Sequence, residues 1–493
     1  MPPAREGTEK SFAELLFAYC ANSIGSYTNG AAGCQGDARV PWEEIVSIIP
    51  PAPPSQVNRR QFLRAATVAA VAPMIVPRHV IAGSQVTPPS DRITIGHIGV
   101  GRMGGGHVSG FLKMPDARIL AISDVRLETL ERAQGAVNQK YGDSNCAAHP
   151  DFRELLARPD IDAVVIATGE RWHPLVGIEA ARRGKHIYCE KPLSVTLAEG
   201  LALREAVKKH GVVFQWGTQQ RSSQYYRHTA ELVRNGYVGD VRNIMIGSAG
   251  GGPPKPEAPE TLKDPPAGLN YDMWLGPSPY VPYSDVRVSL TWLFIRDYGL
   301  GCLGGAWGIH DLDAAQFFLD TDETAPIEIE GRARYYEDIR DVPYSWTVEQ
   351  KYASGPTVIH MDLVTAKKRA KQFELGSMAS LVTGSKGWIW VSRQGVRTEP
   401  ASLADTVIGA NEKRVIFSDD HKQNFLDAIR KKAQPISPIT AAVHAETMCQ
   451  QSAIAMQLQR KMRWDPKAER FIDDEQANRL LSRAIRAPWS YTI

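Results

Sequence analysis

Gly99-Val100-Gly101-Arg102-Met103-Gly104 and Glu190-Lys191-Pro192 are the stretches of this 493-residue chain whose residue types and spacing suit chemistry. The first follows the apolar run Ile93-Thr94-Ile95-Gly96-His97-Ile98, and the second closes the run His186-Ile187-Tyr188-Cys189. In a glycine fingerprint of this form, Gly99 permits a tight turn out of a strand and Gly101 lets backbone approach a pyrophosphate. Gly104 lets the following helix pack close to the sheet. The pyrophosphate then rests on first-turn amides, where the helix dipole favours negative charge. The next strand-like run, Arg118-Ile119-Leu120-Ala121-Ile122-Ser123, ends in Asp124, twenty residues beyond Gly104. That is the spacing of a carboxylate accepting ribose hydroxyls. Asp124 predicts NAD, since it would repel a 2′-phosphate, while Arg126 keeps NADP open. Lys191 stands at the carboxyl end of a strand, the edge at which open α/β sheets bind ligands. Together the two motifs imply a nicotinamide-dependent enzyme.

The elements that position these residues alternate. Strands are expected near 93–98, 117–123, 162–168, 185–189 and 212–216, with helices near 104–113, 126–141, 173–184 and 196–210. Such alternation predicts a parallel sheet covered by helices on both faces. Beyond 216, longer strands are expected at 241–248, 327–336, 345–352, 357–363 and 378–391, with few helices between them. The expected fold class is therefore α/β: a Rossmann doubly wound sheet plus a carboxyl-terminal α+β domain with a large, mostly antiparallel open sheet. The Pro/Gly-rich stretch 251–266 reads as a long surface loop over the cleft. The expected organisation is an extension at 1–57, a signal region at 58–83, a dinucleotide domain at 91–216 and a substrate and oligomerisation domain at 217–436. Helices and a tail at 437–493 are expected to pack back on the core.

A hydrophobic fraction of 43% and a charged fraction of 23% are ordinary for a soluble globular protein. A net charge of +3 gives no reason to expect nucleic acid or an anionic membrane as partner. The six cysteines are scattered, with no zinc spacing, which predicts free thiols and no metal. Asn58-Arg59-Arg60-Gln61-Phe62-Leu63-Arg64 resembles a twin-arginine export signal, and the apolar stretch 65–76 follows it. That stretch is too short to span a ~30 Å hydrocarbon core. The expectation is export to the periplasm without a stable membrane anchor.

From 91 onward the chain resembles the Gfo/Idh/MocA family, which contains glucose–fructose oxidoreductase and myo-inositol dehydrogenase. The resemblance rests on the fingerprint, Trp172-His173, Tyr188-Cys189-Glu190-Lys191-Pro192-Leu193, Gln219-Gln220-Arg221, Trp274-Leu275-Gly276-Pro277 and Gly308-Ile309-His310-Asp311-Leu312-Asp313. It implies hydride transfer between nicotinamide and a secondary alcohol of a sugar, glycoside or cyclitol, in a homo-oligomer (dimer or tetramer). Lys191 then stabilises the developing alkoxide, and His310 acts as base with a pH dependence near 6–8. Asp313 shares its helix face and is the candidate to orient it. Cofactor contacts are expected from Gly99, Gly101, Arg102, Met103, Gly104 and Asp124, and from Thr168, His173, Glu190 and Lys191. Arg221, Tyr298 and His310 are expected to meet substrate. One departure stands out: sugar and inositol dehydrogenases of this family carry an Asp four residues before the histidine, where this chain has Ala306. The resemblance also leaves open redox-neutral glycoside cleavage by oxidation, elimination and re-reduction, and a non-catalytic sugar-binding role.

Overall fold

The computed structural model describes residues 91–250, 256–373, 375–376 and 378–493. The extension at 1–57, the expected export signal at 58–83 and residues 251–255 of the expected loop lie outside them.

The first domain runs β1 (Ile93–Ile98), α1 (Arg102–Phe111), β2 (Ala117–Ser123), α2 (Leu127–Tyr141), β3 (Ala147–His149), α3 (Phe152–Leu156), β4 (Ala163–Ile166), α4 (His173–Arg182), β5 (His186–Cys189), α5 (Leu197–His210) and β6 (Phe214–Trp216). Its strands are parallel in the order β3-β2-β1-β4-β5-β6. The order reverses between β1 and β4, which opens a crevice at their carboxyl ends. Buried β-branched residues of the sheet, such as Ile95, Ile119 and Val165, pack against Phe111 of α1 and Leu130 and Val137 of α2. α2 and α5 stop at Gly142 and Gly211, whose left-handed φ values of 70° and 62° suit glycine.

The second domain contributes α6 (Gln224–Arg234), β7 (Val241–Ser248), α7 (Gly308–Leu319), β8 (Glu328–Tyr335), β9 (Pro343–Lys351), β10 (Thr357–Asp362), α8 (Leu363–Arg369), β11 (Ala379–Gly384), β12 (Trp388–Ser392) and β13 (Gly395–Glu399). It continues with α9 (His421–Ile429), α10 (Ile439–Leu458), β14 (Met462–Asp465) and β15 (Arg470–Phe471). The nine strands are ordered β13-β12-β11-β7-β10-β9-β8-β14-β15, antiparallel except for the parallel pair β7/β10. Strand side chains alternate between faces. Ile359 and Met361 of β10 therefore join Ala366 of α8 on one face, while His360 points to α7, where a Cβ at Gly308 would lie 2.8 Å from its ring.

Several elements differ from the sequence expectation. The run 378–391 is not one strand but the hairpin β11/β12. It breaks where a Cβ at Gly384 would meet Val238 O at 2.1 Å and one at Gly387 would meet Glu399 O at 1.9 Å. β3, β13, β14 and β15 were not expected; they are short, β13 and β15 close hairpins with β12 and β14, and β14 joins β8 from far along the chain. α9 lies within the span assigned to the second domain, yet its Phe425 and Leu426 complete the first domain's core. The tail also returns to the first domain: Trp489 stacks edge-on against Trp172 at 4.7 Å, and Arg483 Nε donates to Glu199 at 2.6 Å.

Candidate active site

The crevice between β1 and β4 is shaped by its glycines. Gly99 has φ +78°, and a Cβ there would lie 2.8 Å from Ala167 O. A Cβ at Gly104 would meet Gly99 O at 1.9 Å, so the helix sits as close as glycine allows. Gly101 faces open space: a Cβ there would meet nothing within 4 Å. Arg102 and Met103 are exposed beside it in the first turn of α1. Asp124 is pinned at the end of β2, where Val100 N donates to Oδ2 and Arg126 N to Oδ1, each at 2.9 Å. Burial pushes its carboxyl upward despite those donors. The residues present thus fit a dinucleotide: unblocked amides at a helix start, and an oriented acid one strand away.

Lys191 follows β5, and its ammonium reaches the second domain. Nζ donates to Gly305 O at 2.9 Å and Ala306 O at 3.2 Å. Those carbonyls end a π-helical turn, Cys302–Ala306, closed by Ala306 N donating to Gly301 O at 2.9 Å. Wide turns of this kind recur at functional sites. The turn immediately precedes α7 and His310.

His310 sits in the first turn of α7, buried, and its Nδ1 has no hydrogen-bond partner among the described residues. Burial first, then the charges of Lys191, Arg393 and His421, hold it well below the usual imidazole range. A helix start also disfavours a cation. The imidazole is therefore neutral at physiological pH, so the pH dependence near 6–8 expected of it does not follow from this environment. Arg393, in the β12–β13 turn, is half-buried and acts on both His310 and Asp311.

Other expected residues are committed elsewhere. Asp313 does not reach His310; it is fully buried and receives Arg221 Nε at 3.0 Å and Nη2 at 2.6 Å. Arg221, expected at the substrate, also donates to both oxygens of Asp322 at 2.7 Å. A buried guanidinium needs such a carboxylate pair, and the pair holds it charged. Glu190 is likewise internal: Oε1 accepts from His107 Nε2 at 2.8 Å and Gln219 Nε2 at 3.0 Å, tying α1 to β5. Burial alone would raise its carboxyl, but the His107 bond and the His107 and Lys191 charges hold it at about 2. His173 is wedged between Pro192 O, 2.6 Å from Nδ1, and Thr168 O, 3.1 Å from Nε2. It braces the loop after β5 against the loop after β4. Tyr298 packs edge-on to Trp274, and its hydroxyl accepts from Arg287 Nη1 at 3.5 Å. Sequence reading missed Glu170 and Arg393; the only available signal was a charge inside an otherwise apolar or turn-forming stretch.

No group of histidine, cysteine and acidic side chains able to hold a metal occurs among the described residues. Cys146, Cys189, Cys302 and Cys449 are buried, with no disulfide among the described residues.

One family model, "Oxidoreductase family, NAD-binding Rossmann fold", matches residues 93–218, and its companion, "Oxidoreductase family, C-terminal alpha/beta domain", matches 257–491. The chain belongs to the Gfo/Idh/MocA family. Its first domain is accordingly the family's NAD-binding fold. Relatives include an oxidoreductase, YrbE, of Bacillus subtilis (36% identical over 33% of this chain and 46% of its own) and the myo-inositol 2-dehydrogenase of Thermotoga maritima (34%, over 32% and 46%). A glycosyl hydrolase family 109 protein of a Shewanella strain is 36% identical over 29% of this chain and 36% of its own. The chain thus matches less than half the length of these relatives. Among solved structures, a Bordetella pertussis WlbA dehydrogenase with NADH and UDP-GlcNAcA superposes at TM-score 0.54 with 15% identity, over 76% of this chain and 99% of its own. A Lactobacillus casei myo-inositol dehydrogenase with NAD(H) and myo-inositol superposes at 0.51 with 19% identity, over 76% and 97%. These likenesses show that the Gfo/Idh/MocA fold is shared.

Proposed function

We propose that this Gfo/Idh/MocA protein is an NAD-dependent oxidoreductase acting on a secondary hydroxyl of a sugar, glycoside or cyclitol. The observation carrying this reading is Lys191: its ammonium lies at the carboxyl edge of the Rossmann sheet, held by two backbone carbonyls and, among the described residues, by no carboxylate hydrogen-bonded to it. Such a cation stabilises an oxyanion most strongly where water is excluded. Bound NAD supplies the hydride acceptor. Asp124 would hold its ribose and the Gly99–Gly104 turn its pyrophosphate, while Lys191 lowers the cost of removing the hydroxyl proton. His310, neutral and with Nδ1 unpaired, is the acceptor for that proton. Its lowered basicity makes it depend on Lys191 for driving force. The T. maritima relative's name supports a polyol hydroxyl.

A second reading, redox-neutral glycoside cleavage, is favoured by the glycosyl hydrolase family 109 relatives and by Ala306. There a hydroxyl carbon is oxidised, the adjacent C–H gives up its proton as the glycosidic bond breaks, water adds, and the hydride returns. The deciding experiment incubates protein and NAD with a panel of sugars, cyclitols and aryl glycosides. Growth of the reduced-nicotinamide absorbance supports net oxidation, whereas aglycone release without that change supports cleavage. Twin-arginine export, on the Arg59-Arg60 motif, and a homo-oligomeric state belong to the same proposal. Arg59→Lys with Arg60→Lys is expected to retain folded protein in the cytoplasm, checked by cell fractionation.

A further inference from the structure

Glu170, in the loop after β4, is 2% exposed, and its carboxyl is inserted beneath residues 299–306. A Cβ at Gly299 would stand 2.2 Å from Glu170 Oε1, and one at Gly305 would stand 3.3 Å from it, so both glycines leave the space this acid occupies. The nearby Leu300 amide favours its charged form. The same segment presents the Gly305 and Ala306 carbonyls that hold Lys191. The charged and titratable groups facing Glu170 are Lys191 beyond β5, Arg171 in its own loop, and Glu446 and Cys449 on α10. Behind Glu446 stands Glu199, which is paired with Arg483. Arg171 is turned toward Trp274 O, to which its Nη2 donates at 2.7 Å, and of the two cations Lys191 acts more strongly on Glu170.

We propose that Glu170 is the positioning residue of Lys191: from beneath the turn it sets how far the ammonium extends toward the substrate, in a chain that has no carboxylate at position 306. This rests on the reading above, in which Lys191 meets the alkoxide. As the neutral acid, Glu170 exerts no net pull, so Lys191 is held by two carbonyls alone. As the carboxylate, it draws the ammonium into the turn and away from the sheet edge. Burial first, then Glu446, push its carboxyl up to about 8, so the neutral form prevails near neutrality and the pull grows in mild alkali.

Two measurements test this. In kinetics, kcat is expected to fall on the alkaline side with a midpoint near that value, while KM and NAD affinity stay level. Glu170→Gln is expected to abolish that limb. Glu446→Gln, which removes a like charge, is expected to move it down by about one pH unit. Independently of catalysis, protein labelled with carbon-13 at lysine Cε is expected to show the Lys191 resonance, assigned with Lys191→Arg, inflecting at the same midpoint. That inflection should vanish in Glu170→Gln and shift downward in Glu446→Gln. If Glu170→Gln fails to fold, the Glu446→Gln shift carries the test. A Lys191 resonance without that inflection, or an inflection unmoved by Glu446→Gln, overturns the proposal even in an active dehydrogenase. The inflection with no hydroxyl substrate turned over supports the positioning role and instead removes the function proposed above.

Discussion

At the residue scale, Lys191 and His310 divide the work. Lys191→Ala removes the ammonium at the carboxyl end of β5, and turnover is expected to fall by ~10²–10³ while NAD affinity is retained. Equilibrium NAD titration beside steady-state rates separates the two. His310→Ala is expected to cost on the order of 10²–10⁴ in rate. Burial and three neighbouring cationic or titratable groups keep His310 in its base form, so any acid limb it causes should lie well below pH 6.5. A His310-dependent limb between pH 6 and 8 would contradict the neutral imidazole. Asp313 behaves differently. Asp313→Asn is expected to lower stability by roughly 3–5 kcal/mol, because it strips a buried guanidinium of one carboxylate. Denaturation curves check this. Asp124→Ala is expected to weaken NAD and relax discrimination against NADP by ~1–3 kcal/mol, since Arg126 lies alongside.

At the element scale, the decisive feature is the π-helical turn before α7. It directs two carbonyls at Lys191 and packs tightly behind: a Cβ at Gly304 would lie 2.6 Å from Cys449 Sγ and 3.2 Å from Leu300 Cβ. Gly304→Ala should therefore push the turn off α10 and move both carbonyls. The expected outcome is a destabilisation of about 1–3 kcal/mol with a larger fractional loss of kcat than of NAD affinity. Thermal denaturation and NAD binding distinguish this from global unfolding. The brace made by His173 between Thr168 O and Pro192 O acts similarly on the first domain, fixing the loop from which Lys191 projects.

At the scale of the whole molecule, buried acids set how stability responds to pH. Glu170 and Asp311 are raised to about 8 and Glu446 to about 7, all chiefly by burial. Their unfolded values are ~4, so the folded state binds more protons between roughly pH 4 and 8. Stability from these groups is full below the unfolded values and declines as pH rises through the folded ones. Glu190 works in the opposite sense: held at about 2, it contributes above ~4.3 and loses that contribution as pH falls through 2. Stability is thus expected to peak on the mildly acidic side and decline toward pH 8. Denaturant unfolding across pH checks this, and Asp311→Asn with Glu446→Gln should flatten the alkaline slope.

Local patterns carried the first domain. Hydrophobic runs of strand length, 3.6-residue helices between them and glycines at required turns are properties of adjacent residues. The five expected strands and four expected helices, and the placement of the fingerprint after β1 and of Asp124 after β2, were therefore legible without a structure. Lys191 was legible too, because its position depends only on where β5 ends. What the tertiary structure decided were partnerships between residues far apart in the chain. Asp313 lies one turn from His310 on α7, which suggested a pair, but the buried Arg221 arriving 92 residues earlier needs that carboxylate more. Glu190 and His173 carry motif positions, yet both are used up inside the protein by His107 and by two backbone carbonyls. The short strands β3 and β13–β15 are too brief to announce themselves, and β14 is held to β8, more than a hundred residues away. Glu170 was invisible for the same reason. Its role depends on glycines more than a hundred residues away that leave room for its carboxyl, and on α10, which brings Glu446 against it only when the chain is folded.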